Sequence, residues 1–204
     1  MRVFRPLFFS KLFYPGAMFR VKTGEKVLYL TFDDGPDRLT TLPILNSLSK
    51  YNARVVFFCK GKAAFENPDL IYRIKLAGHQ IGNHGYDHPD GFYMENELYL
   101  NDVESADQFT SGKLFRPPYG RLRRSQFNFL KKIYNIFMWD IMPYDFDREF
   151  GCSKSLAVLK RLIRPGSIIV LHDNEESTCP DFLDEFLSYA TDKGYRFDVP
   201  LNLR

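Results

Sequence analysis

Cysteine is scarce in this chain. Cys59, Cys152 and Cys179 are an odd number, and no two of them form a Cys-x-x-Cys pair. That argues against a disulfide framework and a cysteine-based zinc site, and it fits a reducing compartment. Long apolar runs are missing too. The longest near the N-terminus covers residues 7–9, broken by Ser10 and Lys11, which makes neither a cleavable signal peptide nor a membrane span. The expected location is therefore cytoplasmic or peripheral at a membrane. An excess of one charge is also lacking: 28 basic residues face 25 acidic ones, a net charge of +3. Nucleic-acid binding would need clustered Lys and Arg, so no nucleic-acid partner is expected. There is no internal repeat, low-complexity tract or linker.

What is present is apolar material for one core. With 204 residues, 45% of them hydrophobic, the chain is expected to fold as one main domain over residues 26–204, preceded by a basic, aromatic lead-in over residues 1–25. Arg2, Arg5, Lys11, Arg20, Lys22 and Lys26 alternate with Phe4, Phe8, Phe9, Phe13, Tyr14 and Phe19, and Glu25 is the one acid among them. Two readings stand. The lead-in packs against the body of the domain, or residues 1–20 make peripheral contact with an anionic membrane. Pro6 and Pro15 interrupt any long amphipathic helix and favour the first.

From residue 26 onward, short apolar runs alternate with spaced, helical patterns, the signature of βα units on a parallel sheet. The fold class is α/β, with about seven strands expected over residues 26–32, 54–59, 79–82, 113–115, 136–139, 167–171 and 195–199. Helices are expected after Thr41, after Asn67-Pro68, and over residues 95–110, 126–134, 155–163 and 181–193. Gly78, Gly112, Pro165-Gly166 and Gly194 serve as stops. The pattern fits an open doubly wound sheet or a barrel equally. Either fold puts ligand-binding loops after the strands.

The chemistry-bearing residues fall at those strand ends. Thr31-Phe32-Asp33-Asp34-Gly35-Pro36 closes the first strand with two adjacent carboxylates, suited to one metal ligand and one general base. Asn83-His84-Gly85-Tyr86-Asp87-His88-Pro89 spaces two histidines so that a helical turn would put both imidazoles on one side. Two histidines and a carboxylate leave positions open for water and substrate, as a catalytic metal site requires. In Phe115-Arg116-Pro117-Pro118-Tyr119-Gly120 neither proline has an N–H, which leaves Arg116 and the Tyr119 backbone N–H as donors. Trp139-Asp140-Ile141-Met142-Pro143-Tyr144-Asp145-Phe146 supplies two acids, either of which could hold the ring of His172 at the end of the apolar run 168–171. His79, before Ile81, reads as structural.

Five such segments in this order resemble the polysaccharide deacetylases, also called carbohydrate esterase family 4, over the whole of residues 26–200. The resemblance implies a distorted (β/α) barrel with fewer than eight complete units. It also implies a divalent metal, zinc first and cobalt or another transition metal next, and hydrolysis of acetyl groups on an N-acetylated glycan or sugar conjugate. Residue by residue, it implies Asp33 as base and Asp34, His84 and His88 as metal ligands. Arg116 would orient Asp33, the Tyr119 N–H would meet the oxyanion, His172 would be the acid, and Asp145 would position that histidine. Phe146, Gly85 and Val170 depart from residues more frequent in the family, which bears on the pocket lining more than on the chemistry. A glycan-binding pseudoenzyme and an O-acetyl esterase are alternatives on the same scaffold. A non-haem iron oxygenase also uses two histidines and one carboxylate but has no need of the second aspartate or of His172.

Overall fold

The computed structural model describes residues 2–6, 10–110 and 112–200. Phe8 and Phe9 of the lead-in lie outside the described residues. The elements run in the order α1 (Ser10–Phe13), β1 (Val27–Asp33), α2 (Thr41–Lys50), β2 (Val56–Cys59), α3 (Gly61–Glu66), α4 (Pro68–Leu76), β3 (Gln80–Asn83) and α5 (Asn96–Thr110). There follow β4 (Leu114–Phe115), α6 (Arg124–Leu130), β5 (Asn135–Ile136), α7 (Cys152–Leu162), β6 (Ile168–His172), α8 (Cys179–Asp192) and β7 (Arg196–Phe197).

All strand pairings are parallel. Six strands lie in the order β5-β4-β3-β2-β1-β6, and β7 pairs with the start of β1. The sheet curls until its ends nearly meet. Beyond β5 the chain reaches β6 through a parallel bridge between Ile141 and Ile169, with Asp140 N donating to Ile168 O and Val170 N to Ile141 O. Part of the lead-in fills the remaining gap, Met18 pairing with Phe137 and Arg20 with Ser167. The result is the distorted barrel with about seven strands.

Strand alternation sorts the side chains into two layers. Leu28, Leu30 and Phe32 of β1 face outward with Phe57, Ile169 and Leu171, against Ile44 and Leu48 of α2, Leu159 of α7 and Phe182, Leu183 and Phe186 of α8. Val27 and Tyr29 face inward with Val56, Phe58, Phe137 and Ile168. The same parity continues along β1, so Thr31 and Asp33 also point into the barrel at its C-terminal mouth. Burial on both faces explains why β1 and β6 read as largely apolar runs without polar alternation. Register brings the ends together, Asp33 beside His172 and Phe58, Cys59 beside Asn83, and Asn83 beside Phe115.

Much of the described lead-in packs on this body, although α1 buries none of its residues. Phe19 is buried, Phe4 and Tyr14 pack on the core clusters, and Phe13 stays exposed. Arg2 pairs with Asp147, Arg5 with Asp140, and Arg20 donates to Pro165 O. These contacts occupy groups that a membrane anchor would present outward. Among the described residues no helix is long and apolar enough to cross a membrane.

Candidate active site

Arg116 is buried and lines the floor of the site's cavity. It is 1% exposed, so it is not the surface arginine of a simple turn. Its Nη1 donates to Thr31 Oγ1 at 2.6 Å and to Asp33 Oδ1 at 2.7 Å, its Nη2 to Met138 O at 2.9 Å, and its guanidinium lies 4.4 Å from the Phe58 ring centre. Removing one partner from such a buried pair typically costs about 3–5 kcal/mol, because the other charge stays desolvated. The pair fixes the Asp33 carboxylate and leaves Oδ2 facing His84, 3.8 Å from its Nε2.

Asp34 leaves the strand in a left-handed conformation, φ 78°, and points toward the histidines. Its Oδ1 is 3.3 Å from His88 Nε2 and 3.9 Å from His84 Nε2. Ligand atoms of Asp34, His84 and His88 all lie within 4.8 Å of one another. His84 Nδ1 is 2.7 Å from Arg116 O. A carbonyl only accepts, so Nδ1 carries a proton, and Nε2 is the ring nitrogen turned toward the two aspartates. Burial, joined by the neighbouring His84, holds the His88 pKa down at about 4. Burial alone would raise Asp34, but His172, His84, His88 and Lys60 outweigh it and bring its pKa to about 2. Neutral imidazole and ionised carboxylate are the forms that bind metal, so the donor set fits a divalent ion.

The two histidines do not converge on a helical turn. Residues 84–88 form a loop in which Gly85 (φ 73°) and His88 (φ 62°) are left-handed, and this reversal swings the rings to a centroid distance of 4.9 Å. Five described non-glycine residues have positive φ, and four of them, Asp34, His88, Tyr119 and Tyr144, are site residues or neighbours of one. Such conformations cost of order 1–3 kcal/mol each and concentrate where function demands them.

His172 lines the same cavity. Its Nδ1 is 3.0 Å from Asp145 Oδ1, while Asp145 Oδ2 accepts His172 N at 2.7 Å and the Ser177 hydroxyl at 2.9 Å. Burial works against the imidazolium, yet the charge and hydrogen bond of Asp145, helped by Asp34 and Asp33, prevail and raise its pKa to about 9. Of the two acids on that segment, Asp145 holds the ring. Asp140 instead bonds Arg5, Arg164 and Ser167.

The Pro117–Pro118 turn puts Tyr119 at φ 57°, its ring 59% exposed and 4.6 Å from that of His88. Gly120 is required behind it: at φ 66°, a Cβ there would meet the Trp139 ring at 2.4 Å. All seven of Asp33, Asp34, His84, His88, Arg116, Tyr119 and His172 line one cavity of about 380 Å³, whose further walls include Trp139, Met142, Phe146 and Val170. Asp145 stands behind His172. Sequence reasoning missed Asn174, whose Nδ2 donates to Asp34 Oδ2 at 2.8 Å, and Ser177. Their one sequence signal is proximity to His172. His79, as expected, is structural: it is buried beside Phe57, and burial lowers its pKa to about 4.

A polysaccharide deacetylase family model matches residues 20–134. The chain belongs to the polysaccharide deacetylase family. It is 32% identical over 186 residues to the peptidoglycan-N-acetylmuramic acid deacetylase PdaC of Bacillus subtilis, covering 86% of this chain but only 38% of that protein. To the chitooligosaccharide deacetylase of Azorhizobium caulinodans it is 32% identical over 173 residues, 81% of this chain and 80% of the relative. A solved peptidoglycan N-acetylglucosamine deacetylase in complex with 4-naphthalen-1-yl-N-oxidanyl-benzamide superposes with a TM-score of 0.83 at 28% identity, covering 95% and 94% of the two chains. A pseudoenzyme of carbohydrate esterase family 4 from Bacillus anthracis shares the fold, with a TM-score of 0.80 at 22% identity over 90% and 66%.

Proposed function

We propose that this deacetylase-family chain is itself a metal-dependent hydrolase that removes the acetyl group from an N-acetylated sugar of a glycan or glycoconjugate, releasing acetate and a free amino sugar. The observation that carries this reading is that the Arg116-anchored Asp33, the Asp145-held His172 and three metal-competent donors all line one cavity.

Two imidazole nitrogens and one carboxylate oxygen suit zinc or cobalt better than magnesium or calcium. Held by Asp34, His84 and His88, such an ion would supply polarisation of the acetyl carbonyl and a lowered pKa for water. Asp33 accepts the proton of the attacking water through Oδ2, while Arg116 keeps its other oxygen engaged. The Tyr119 N–H donates to the oxygen on which charge develops, a contribution of about 3 kcal/mol for one such donor. As the carbon–nitrogen bond breaks, His172 delivers a proton from Nε2 to the departing amine, a very poor leaving group without it. The aromatic and apolar walls exclude water around these groups.

A glycan-binding pseudoenzyme is disfavoured because every ionisable group of this scheme is in place. The test is acetate release from chitin oligomers, peptidoglycan fragments, acetylated xylan and nucleotide- or lipid-linked N-acetyl sugars, before and after chelation. Turnover lost with the metal and regained with zinc or cobalt is expected. Full activity after verified metal removal overturns the metal role, and absence of acetate from every substrate overturns the hydrolase.

A further inference from the structure

Between His84 and His88 the chain carries three consecutive backbone N–H groups, those of Gly85, Tyr86 and Asp87, outside any helix or strand. The partners of all three trace to α5. Asp102 Oδ1 accepts Tyr86 N at 2.8 Å and Asp102 Oδ2 accepts Asp87 N at 2.9 Å. Gly85 N donates to Asn83 Oδ1 at 2.8 Å, and the Asn83 amide is itself tied at 2.8 Å to Val103 O and to Asp107 Oδ1. A Cβ on Gly85 would fall 2.7 Å from Asp102 Oδ1, so the carboxylate fills the space a side chain at residue 85 would need. The carbonyls of the arc are held from the other side, Gly85 O accepting Gly61 N at 2.8 Å and Tyr86 O accepting Lys62 N at 3.2 Å, so the acceptor for its Tyr86 and Asp87 N–H groups is one acidic side chain from a helix that does not line the cavity.

We propose that Asp102 is a positioning residue for the cation site: by engaging both N–H groups it fixes the arc, and with it the separation of His84 Nε2 from His88 Nε2. This rests on the metal-dependent reading above. Without the carboxylate, two N–H groups lose their acceptor, the left-handed backbone at Gly85 and His88 is less constrained, held by Gly85 N on Asn83 and by Gly61 N and Lys62 N on its carbonyls, and the cation must do part of the ordering of its own ligands on binding. Affinity falls by the cost of that ordering. A charged acceptor suits the position because it takes two donors at once with no donor of its own to oppose them.

The full chain, stripped of metal, is titrated with zinc against a chromophoric chelator without substrate, and its melting temperature is measured with and without zinc. Asp102→Ala is expected to weaken zinc by about 10- to 100-fold, the range typical of residues that orient metal ligands. The zinc-induced rise in Tm should shrink accordingly. Asp102→Asn should weaken zinc less, since it keeps one acceptor oxygen but turns an NH2 toward the other N–H. A purely structural Asp102 would instead lower the Tm of stripped and loaded protein alike and leave affinity unchanged, which overturns the proposal. If Asp102→Ala does not fold, Asp102→Asn decides alone, and zinc affinity equal to wild type counts against it. Should the wild-type chain bind no zinc, the metal reading falls and this inference with it; wild-type binding that both variants retain removes only the inference.

Discussion

Asp33 and Asp34 are adjacent in sequence and have unlike surroundings because strand alternation ends between them. Asp33 is the last inward residue of β1 and meets Arg116, while Asp34 turns at φ 78° toward the histidines. Asp34→Asn should therefore lose bound metal and turnover together, whereas Asp33→Asn should keep metal and lose turnover. Metal content beside acetate release checks this, and two active variants with normal metal would sink the assignment. For His172 the question is pH. An acid that works protonated stays competent below its folded pKa, about 9 in the metal-free chain, and a cation at Asp34 acts in the opposite sense by cancelling part of the charge that raises it. Rate against pH should be bell-shaped, with the alkaline limb belonging to His172. Asp145→Asn removes the partner charge, so that limb should move to lower pH at constant metal content; an unmoved limb would free His172 of that role. The raised pKa is also a stability term in the metal-free chain. It is fully present below the unfolded value of about 6.5 and lost as pH rises through about 9.

At the scale of elements, what was legible was what depends on near neighbours. The runs 26–32 and 167–171 announced β1 and β6 because strands buried on both faces carry predominantly apolar residues without strict alternation. The helix opened by Pro68 was legible from its proline and from Leu70, Ile71 and Ile74, all buried in α4. The six-residue α3 was not: Gly61–Glu66 is too short to show a helical period. The helix expected after Thr41 begins at Thr41 itself, whose hydroxyl accepts Asp37 N and donates to the buried Asp173. The site residues were legible as motifs at strand ends, but the geometry between them was not. A three-residue gap between histidines does not reveal whether a helix or a left-handed arc joins them, and here two N–H groups of the arc are held by Asp102, fourteen residues beyond His88. Asn174 and Ser177 were invisible for the same reason, since each works through a partner more than thirty residues away. The choice of barrel over open sheet also lay at long range, in the bridge from Ile141 to Ile169.

Across the whole molecule, the N-terminal residues are tied to the cavity they precede. Phe4 O accepts Met142 N at 3.0 Å, Val3 N donates to the Tyr144 hydroxyl at 3.1 Å, Arg2 pairs with Asp147, and the Phe4 ring packs against Tyr144 and Phe150. All these partners lie on or beside the segment that carries Met142, Asp145 and Phe146, while Arg5 reaches its base at Asp140. Deleting residues 1–6 should therefore loosen the wall of the cavity and the support of His172. The lost Phe4 packing and two backbone hydrogen bonds come to about 2 kcal/mol after allowance for partial exposure. For a chain of this size that lowers Tm by roughly 4–8 °C. Arg164 and Ser167 remain on Asp140, so the truncated protein should still fold. Its kcat/KM should drop at temperatures well below the new Tm, because the defect lies in the position of the segment and not in the folded fraction. The membrane reading of this lead-in predicts instead that removal of residues 1–20 abolishes binding to anionic vesicles with turnover on a soluble substrate untouched. Thermal melts and steady-state kinetics on both truncated chains, with vesicle co-sedimentation of the intact chain and of the one lacking residues 1–20, separate the two, and no vesicle binding by the intact chain ends the membrane reading. Unchanged Tm and kcat/KM on deletion of residues 1–6 would show that this part of the lead-in does not support the site.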